Sequence, residues 1–335
     1  MSERQEGTGS REREREQMKS MTLGEHLEEL RIRLIISLIA CVLGSTVFFV
    51  ARETAIGLAM RPYLKAWSWL AQDWMEGLEK AKAAGELTPR QMENYEWVFG
   101  RVDPETGKRE GGAREELFVY EYGDRNKAIK DGELRAHGFP YPRQLQQLGP
   151  VEFVVAWMKL AIVFGLFISA PIVFHQMWRF IGAGLYASER RKIMRCLPFT
   201  ILLFGAGISF GYFIMIPYAV YFLTQLTPAD YIQQGYAIRE YIGFFFTVIL
   251  ALGCVFQLPV VLVGLARFGI MTSRAIREKR KYFILGAFIV GALLTPPDPV
   301  TQLLMASPIL LLFELGVFLA GRMEKKAARA AAEEE

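Results

Sequence analysis

The chain has 335 residues, of which 52% are hydrophobic and 22% are charged, and its formal net charge is +4. Apolar and charged residues are segregated along the chain, which is typical of an integral membrane protein with polar loops. The excess of basic residues falls mostly in loops between apolar runs. It therefore indicates membrane topology and contact with anionic lipid, and it excludes nucleic acid as a partner.

Residues 1–20 are polar and charged, which predicts a disordered cytoplasmic tail without a cleavable signal peptide. The next segment, residues 21–51, opens with "MTLGEHLEELRIRL". Its "TLGE" matches a capping box and predicts a helix that starts at about Leu23, lies in the cytoplasmic interface and continues into the first span. Within this helix, Glu29 and Arg33 have the i,i+4 spacing of a surface ion pair.

Long windows with almost no charge predict four membrane spans. They are residues 34–51, 153–178, 196–226 and 241–266.

The last apolar region is divided into residues 282–294, which are short for a span, and residues 300–321, which carry Glu314. This pair fits a short helical hairpin, a re-entrant loop or two short spans, and we favour two short spans. Glu314 would then lie about midway along the sixth span, where a carboxylate should face protein or water.

The Lys and Arg content of the short loops sets the expected orientation. Residues 179–195 hold five and residues 267–281 hold six, whereas residues 227–240 hold one. Both termini are therefore expected in the cytoplasm, with residues 322–335 as a cytoplasmic tail. The expected fold is an all-α integral membrane protein with six transmembrane helices, the fifth and sixth short, in which residues 151–321 form helices two to six.

Residues 52–150 are expected to form an extracytoplasmic insertion, because loops longer than about 60 residues largely escape the charge rule. Apolar residues at helical spacing predict an amphipathic helix along the outer interface. "YEWVFGRV" and "ELFVYEYG" predict two strands around the loop "DPETGKREGG", so the module should mix helix and strand. The helical repeat consists of Leu64, Trp67, Ala71, Trp74 and Leu78.

The sequence contains no GxxxxGK[ST] phosphate loop, HExxH motif, Cys and His metal set or GxSxG elbow. We therefore expect no cofactor, no metal site and no enzymatic activity. The three cysteines all fall within predicted spans and are interpreted as small packing residues.

A second acid, Glu189, lies in "FIGAGLYASERRKIMR", at the same expected membrane face as Glu29. It could be a first-turn acid favoured by the helix dipole. Alternatively, two carboxylates at two helix entrances, beside an excess of bases, could form a receptor for a cationic ligand.

Five blocks of the sequence carry a family resemblance. They are "MTLGEHLEELRIRL", "SAPIVFHQMWRFIGAGLYASERR", "QLPVVL", "KRKYFILGAFIVGALLTPPDPVTQ" and "LFELGVFLAG". In this order they resemble TatC, the multispanning subunit of the twin-arginine protein translocase. The resemblance covers nearly all of residues 21–321 except about 65–145.

The resemblance implies a receptor in the cell inner membrane that binds signal peptides with consecutive arginines and exports folded proteins using the proton gradient. Its implied partners are TatA-type and TatB-type single-span proteins, twin-arginine signal peptides and membrane lipid, with TatB–TatC units forming an oligomer. The signal-peptide site would comprise Glu29, Glu189, Arg31 and Phe180.

Further positions match the family outside that site. Gln257 lies where many members have Glu, which casts doubt on proton titration there; the alternative is an interhelical hydrogen bond. The motif "LTPPDPVTQ" resembles a hairpin at which a partner helix should dock through Thr295 and Gln302, with Asp298 in a structural role. Pro62 matches a proline after the first span, where the alternative is an ordinary helix terminator.

Two other functions are compatible with six spans. One is a secondary solute transporter, although the two halves of the chain lack the paired repeats expected of many transporters. The other is a structural membrane scaffold, which would tolerate the loss of Glu29 and Glu189.

Overall fold

A computed structural model describes most of the chain, and the described part consists largely of α-helices. The described residues are 23–103, 109–113, 139, 144–184, 194, 196–227, 235–267, 269–294 and 298–333. The helices in chain order are α1 (Leu23–Val50), α2 (Arg52–Ala84), α3 (Pro89–Phe99), α4 (Glu152–Ala183), α5 (Leu197–Phe210), α6 (Ile216–Leu226), α7 (Ile238–Val255), α8 (Leu258–Arg267), α9 (Ser273–Glu278), α10 (Arg280–Leu294) and α11 (Pro299–Glu333).

Five segments of the described residues are long and apolar enough to cross a membrane. They are Gly24–Val50, Glu152–Ala183, Leu197–Leu226, Ile238–Arg267 and Pro299–Lys326. The first four contain nearly all of the four predicted windows. Leu23 is the first residue of the chain that the structure describes, so the predicted capping box at Thr22 and the helix start stay predictions.

The last two predicted spans differ from each other. Helix α10 has 15 residues, about 22 Å at ~1.5 Å per residue, against a ~30 Å hydrocarbon core. A crossing through α10, and with it the count of six, stays a prediction. The expectation that the sixth span is short is wrong, because the span Pro299–Lys326 has 28 residues. Ala, Lys and Glu after the apolar run favour helix and let α11 continue.

Helices α1 and α4 pack along each other at very close range. A Cβ on Gly165 would lie 2.3 Å from the backbone nitrogen of Ser45, and one on Gly44 would lie 2.6 Å from the carbonyl oxygen of Gly165. Small residues allow such approach between membrane helices, where packing contributes much of the association energy.

One buried cluster joins the N-terminal part of α2 to the bundle. Ala59 and Tyr63 of α2 pack with Leu160 of α4 and with Phe245 and Ile249 of α7. Helix α2 therefore belongs to the same core as the spans.

Pro62 lies inside α2 and does not end it. Proline lacks the N–H that would bond the carbonyl four residues earlier, here that of Leu58. The hydroxyl of Tyr212 donates to this carbonyl over 2.8 Å, and Tyr241 donates to the next carbonyl, that of Ala59, over 2.7 Å. Tyr212 belongs to a five-residue π-helical segment, Gly211–Met215, that connects α5 and α6.

The strand predicted over residues 95–102 is mostly wrong, because Tyr95–Phe99 end helix α3. Thr88 and Gln91 form a capping box around Pro89 that starts this helix. Tyr95, Val98 and Phe99 then share the face buried against α2, at helical and not alternating spacing.

Two short strands follow α3. They are β1 (Arg101–Val102) and β2 (Arg109–Glu110), which pair antiparallel with Arg101 opposite Glu110. Strand β2 lies within the predicted loop, and the second predicted strand, residues 116–123, lies outside the described residues.

Candidate functional site

The side chain of Glu29 is held at the contact between α1 and α4. Arg33, one turn later on α1, donates to its Oε1 from Nη2 at 2.7 Å and from Nε at 3.3 Å. The Nη1 of Arg33 donates to Oε1 of Gln176 on α4 over 3.0 Å. The side chains of Glu29 and Arg33 are only 19% and 16% exposed, so the pair is much less solvated than the predicted surface ion pair.

An aromatic contact lies on the same two helices. The rings of His26 on α1 and Phe180 on α4 stack with centroids 4.6 Å apart and an interplanar angle of 23°. His26 precedes Glu29 by three residues, and Phe180 follows Gln176 by four, so both contacts belong to one helix–helix seam. We call His26, Glu29, Arg33, Gln176 and Phe180 the α1–α4 cluster.

The other two predicted binding residues are placed differently. Arg31 pairs with Glu28 over 3.2 Å, and both side chains are more than 60% exposed. Arg31 is therefore outside the α1–α4 cluster. Glu189 lies outside the described residues. The structure thus brings Glu29 and Phe180 to one seam and leaves Arg31 on the exposed surface.

The carboxylate of Glu29 retains acceptor capacity. Among the described residues, hydrogen bonds reach only its Oε1. A carboxylate offers about four lone-pair positions on its two oxygens. Oε2 is therefore the group in this cluster that can accept a hydrogen bond from a cationic ligand.

Gln257 lies between α7 and α8 and its side chain contacts α5. Its Nε2 donates to the carbonyl of Thr200 on α5 over 3.3 Å, while its buried Oε1 has no partner among the described residues. The hydroxyl of Thr200 accepts from Nε1 of Trp178 over 3.0 Å. The interhelical hydrogen bond expected at Gln257 is therefore present, together with one unsatisfied acceptor.

Glu314 is not isolated within the apolar part of α11. Its Oε2 accepts from Nη2 of Arg280, at the start of α10, over 2.5 Å. The two side chains are about half exposed, and the guanidinium of Arg280 compensates the charge of the Glu314 carboxylate.

Side-chain hydrogen bonds of Asp298, which precedes α11, and of Gln302 within α11 stabilise the hairpin between α10 and α11. Nε2 of Gln302 donates to the carbonyl of Phe288 over 3.1 Å. Oδ1 of Asp298 accepts from the N–H of Thr301 over 2.8 Å and so caps the start of α11. Thr295 lies outside the described residues.

Sequence reasoning missed Gln176. A lone amide in an apolar helix is a signal for a polar contact, but the sequence alone does not show which residue it meets. In the described part of the chain, no group of three or more His, Cys, Asp or Glu side chains is placed to hold a metal ion.

The helices define a multi-pass helical membrane protein, with a mostly buried carboxylate in the seam between α1 and α4. A family model described as Sec-independent protein translocase protein (TatC) matches residues 25–308. The chain therefore belongs to the TatC family, a non-enzymatic family of protein translocase components.

Individual relatives agree with this assignment. The TatC of Aquifex aeolicus is 31% identical over 304 residues, which are 89% of this chain and 94% of that protein. The TatC of Escherichia coli K12 is 41% identical over 161 residues, 48% of this chain and 62% of that protein. A crystal structure of the twin-arginine translocase receptor TatC has 30% identity and a TM-score of 0.56, covering 88% of this chain and 98% of the crystallised one. These comparisons do not favour the solute transporter alternative.

Proposed function

We propose that this chain is the signal-peptide receptor of a twin-arginine translocase. In this proposal Glu29 binds an arginine of the signal peptide at the cytoplasmic face of the inner membrane, and folded proteins then cross with TatA-type and TatB-type partners, using the proton gradient. The observation that carries the proposal is the Glu29 carboxylate, which is mostly buried, oriented by Arg33 and open to a further donor at Oε2.

The chemistry of this carboxylate favours arginine over lysine. A guanidinium offers a planar fork of donors, whereas an ammonium is a compact and strongly hydrated charge. A site with limited solvent access strengthens ionic hydrogen bonds and penalises the cation that keeps more of its hydration. The twin-arginine preference follows from a second carboxylate, which the proposal assigns to Glu189.

Arg33 acts in this proposal as a positioning residue. Arg33 fixes Oε1 of Glu29, and Gln176 fixes Arg33 in turn. Because the Glu29 side chain is already ordered, ligand binding at Oε2 loses less conformational entropy. Phe180, stacked on His26, covers the apolar side of the same seam.

Partner docking follows the family resemblance. TatC family membership implies TatA and TatB partners, and the proposal places a partner's helix at Thr295 and Gln302. One amide hydrogen bond of Gln302 is directed to Phe288, which leaves its Oε1 for a partner.

Export of a folded fluorescent reporter tests the function. The host lacks its own TatC and supplies the partners from this chain's genome. An arginine-pair signal should direct export and a lysine-pair signal should not. Glu29→Ala should abolish export, while the control Glu28→Ala, which removes an exposed acid one residue away, should retain it. Equal export by the two variants would contradict the proposal.

A further inference from the structure

A groove of about 370 Å³ opens between α4, α5, α8 and α11. It lies at the end of the bundle where α4 carries Trp178, close to Gln176 of the α1–α4 cluster. Its volume is within the range of small-molecule sites, about 300 to 1,000 Å³. Its walls are apolar and include Phe199, Val260, Val263 and Leu319.

Three cations line the same groove: Arg267 at the end of α8, and Arg322 and Lys326 on α11. None of the described residues that line it is an acid. Among the salt bridges between described residues, none involves these three cations. Among the described residues, the groove thus combines apolar walls with three cations at its mouth.

The neighbouring acid on α11 is directed elsewhere. Both oxygens of Glu324 are bonded to Ser273 of α9, with Oε1 accepting from its N–H over 2.7 Å and Oε2 from its hydroxyl over 2.5 Å. The guanidinium of Arg322 lies over the ring of Phe318, 4.9 Å from the centroid, which restricts its motion.

The three cations lie at the ends of two apolar helical segments. Helix α8 ends at Arg267, and Arg322 and Lys326 follow the apolar part of α11, which ends at Gly321. In a membrane protein such positions lie near the lipid headgroups. At this boundary a phosphate can contact the cations while an acyl chain continues between the apolar walls.

We infer that the groove binds one anionic phospholipid. Its phosphate contacts Arg267, Arg322 and Lys326, and the first part of an acyl chain lies against Val260, Val263 and Leu319. A zwitterionic lipid carries the same phosphate but adds a cation beside it, so it compensates the three basic residues less than an anionic lipid does. This inference does not depend on signal-peptide binding.

The test is native mass spectrometry of the delipidated full chain, titrated with phosphatidylglycerol or with phosphatidylcholine. Phosphatidylglycerol should bind at least about tenfold more tightly, since each basic residue near a membrane surface contributes attraction to anionic lipid.

The triple variant Arg267→Gln, Arg322→Gln, Lys326→Gln should lose this preference. A control that removes equal charge from exposed positions outside the groove, Arg277→Gln, Lys281→Gln, Lys325→Gln, should keep it.

A second variant tests the apolar part without changing charge. Gly264 lines the groove, and a Cβ there would meet no atom within 4 Å, so Gly264→Leu fills the space without a clash at its first atom. It should weaken phosphatidylglycerol binding severalfold, and glycerol phosphate should not compete. Equal binding of both lipids, equal loss in the charge control, or displacement by glycerol phosphate would overturn the inference.

Discussion

The hydroxyl of Tyr212 donates a 2.8 Å hydrogen bond to the carbonyl of Leu58, the acceptor that Pro62 deprives of its helical N–H. The π-helical segment of Tyr212 thereby repairs a defect inside α2. A bond between two helices replaces a bond within one helix, and α2 is fastened to the bundle at this turn.

Tyr212→Phe should lower the free energy of unfolding, because the Leu58 carbonyl loses its donor in a low-dielectric region. The expected cost is about 1–3 kcal/mol. The measurement is an SDS titration of the protein in detergent micelles. Tyr218→Phe serves as the control, since Tyr218 is 50% exposed on the adjacent helix.

A double-mutant cycle separates this bond from general packing. Pro62→Ala restores an N–H for Leu58, so Tyr212→Phe should cost less in the Pro62→Ala background than in the native chain. Equal costs in both backgrounds would show that the tyrosine does not act through this carbonyl.

The close approach of α1 and α4 predicts a strong effect of one added methyl group. Gly165→Ala should destabilise the protein by about 1–3 kcal/mol, because its Cβ would lie 2.3 Å from the backbone nitrogen of Ser45. Gly205→Ala, where a Cβ meets no atom within 4 Å, should be neutral or stabilising. SDS titration again gives the free energies, and indistinguishable values would refute the packing account.

The pair Arg280–Glu314 should couple α10 to α11. A double-mutant cycle with Arg280→Gln and Glu314→Gln should give a coupling energy of about 1 kcal/mol, at the upper end for partly exposed pairs. The exposed pair Arg274–Glu278 within α9 provides the comparison and should couple less. A coupling energy of zero at Arg280–Glu314 would show that this ion pair does not hold α10 against α11.

Gln176→Leu should weaken binding of an arginine-pair peptide about two- to tenfold, because Arg33 loses the bond that orients it. Binding of a lysine-pair peptide should change little, so the ratio of the two dissociation constants should fall. Gln225→Leu removes an amide hydrogen bond to Asp73 far along the chain from this cluster and should leave the ratio unchanged. A preserved ratio in Gln176→Leu would show that the amide has only a structural role.

Local patterns predicted much of this fold. Four spans and the Glu29–Arg33 pair follow from apolar length and i,i+4 spacing, both of which are properties of neighbouring residues. The strand predicted at residues 95–99 failed because β-favouring aromatic residues there also satisfy a helical repeat.

Contacts between distant segments were beyond sequence reasoning. Gln176 meets Arg33 across 143 residues, and Tyr212 meets Leu58 across 154. Such pairs depend on how the helices rotate and pack against each other, and the local spacing of residues in one sequence does not predict this. The length of α11 was missed for another reason, because the prediction followed the apolar run to residue 321, whereas the helix continues through polar residues that favour helix.

The most direct test of the account is the dissociation constant of a fluorescent arginine-pair signal peptide for the purified chain in lipid nanodiscs. Glu29→Ala should weaken binding about tenfold or more, as expected for loss of a charged hydrogen bond, while Glu28→Ala should change it less than about twofold. Native affinity in Glu29→Ala, or an equal loss in Glu28→Ala, would contradict the assignment of the site to the Glu29 carboxylate.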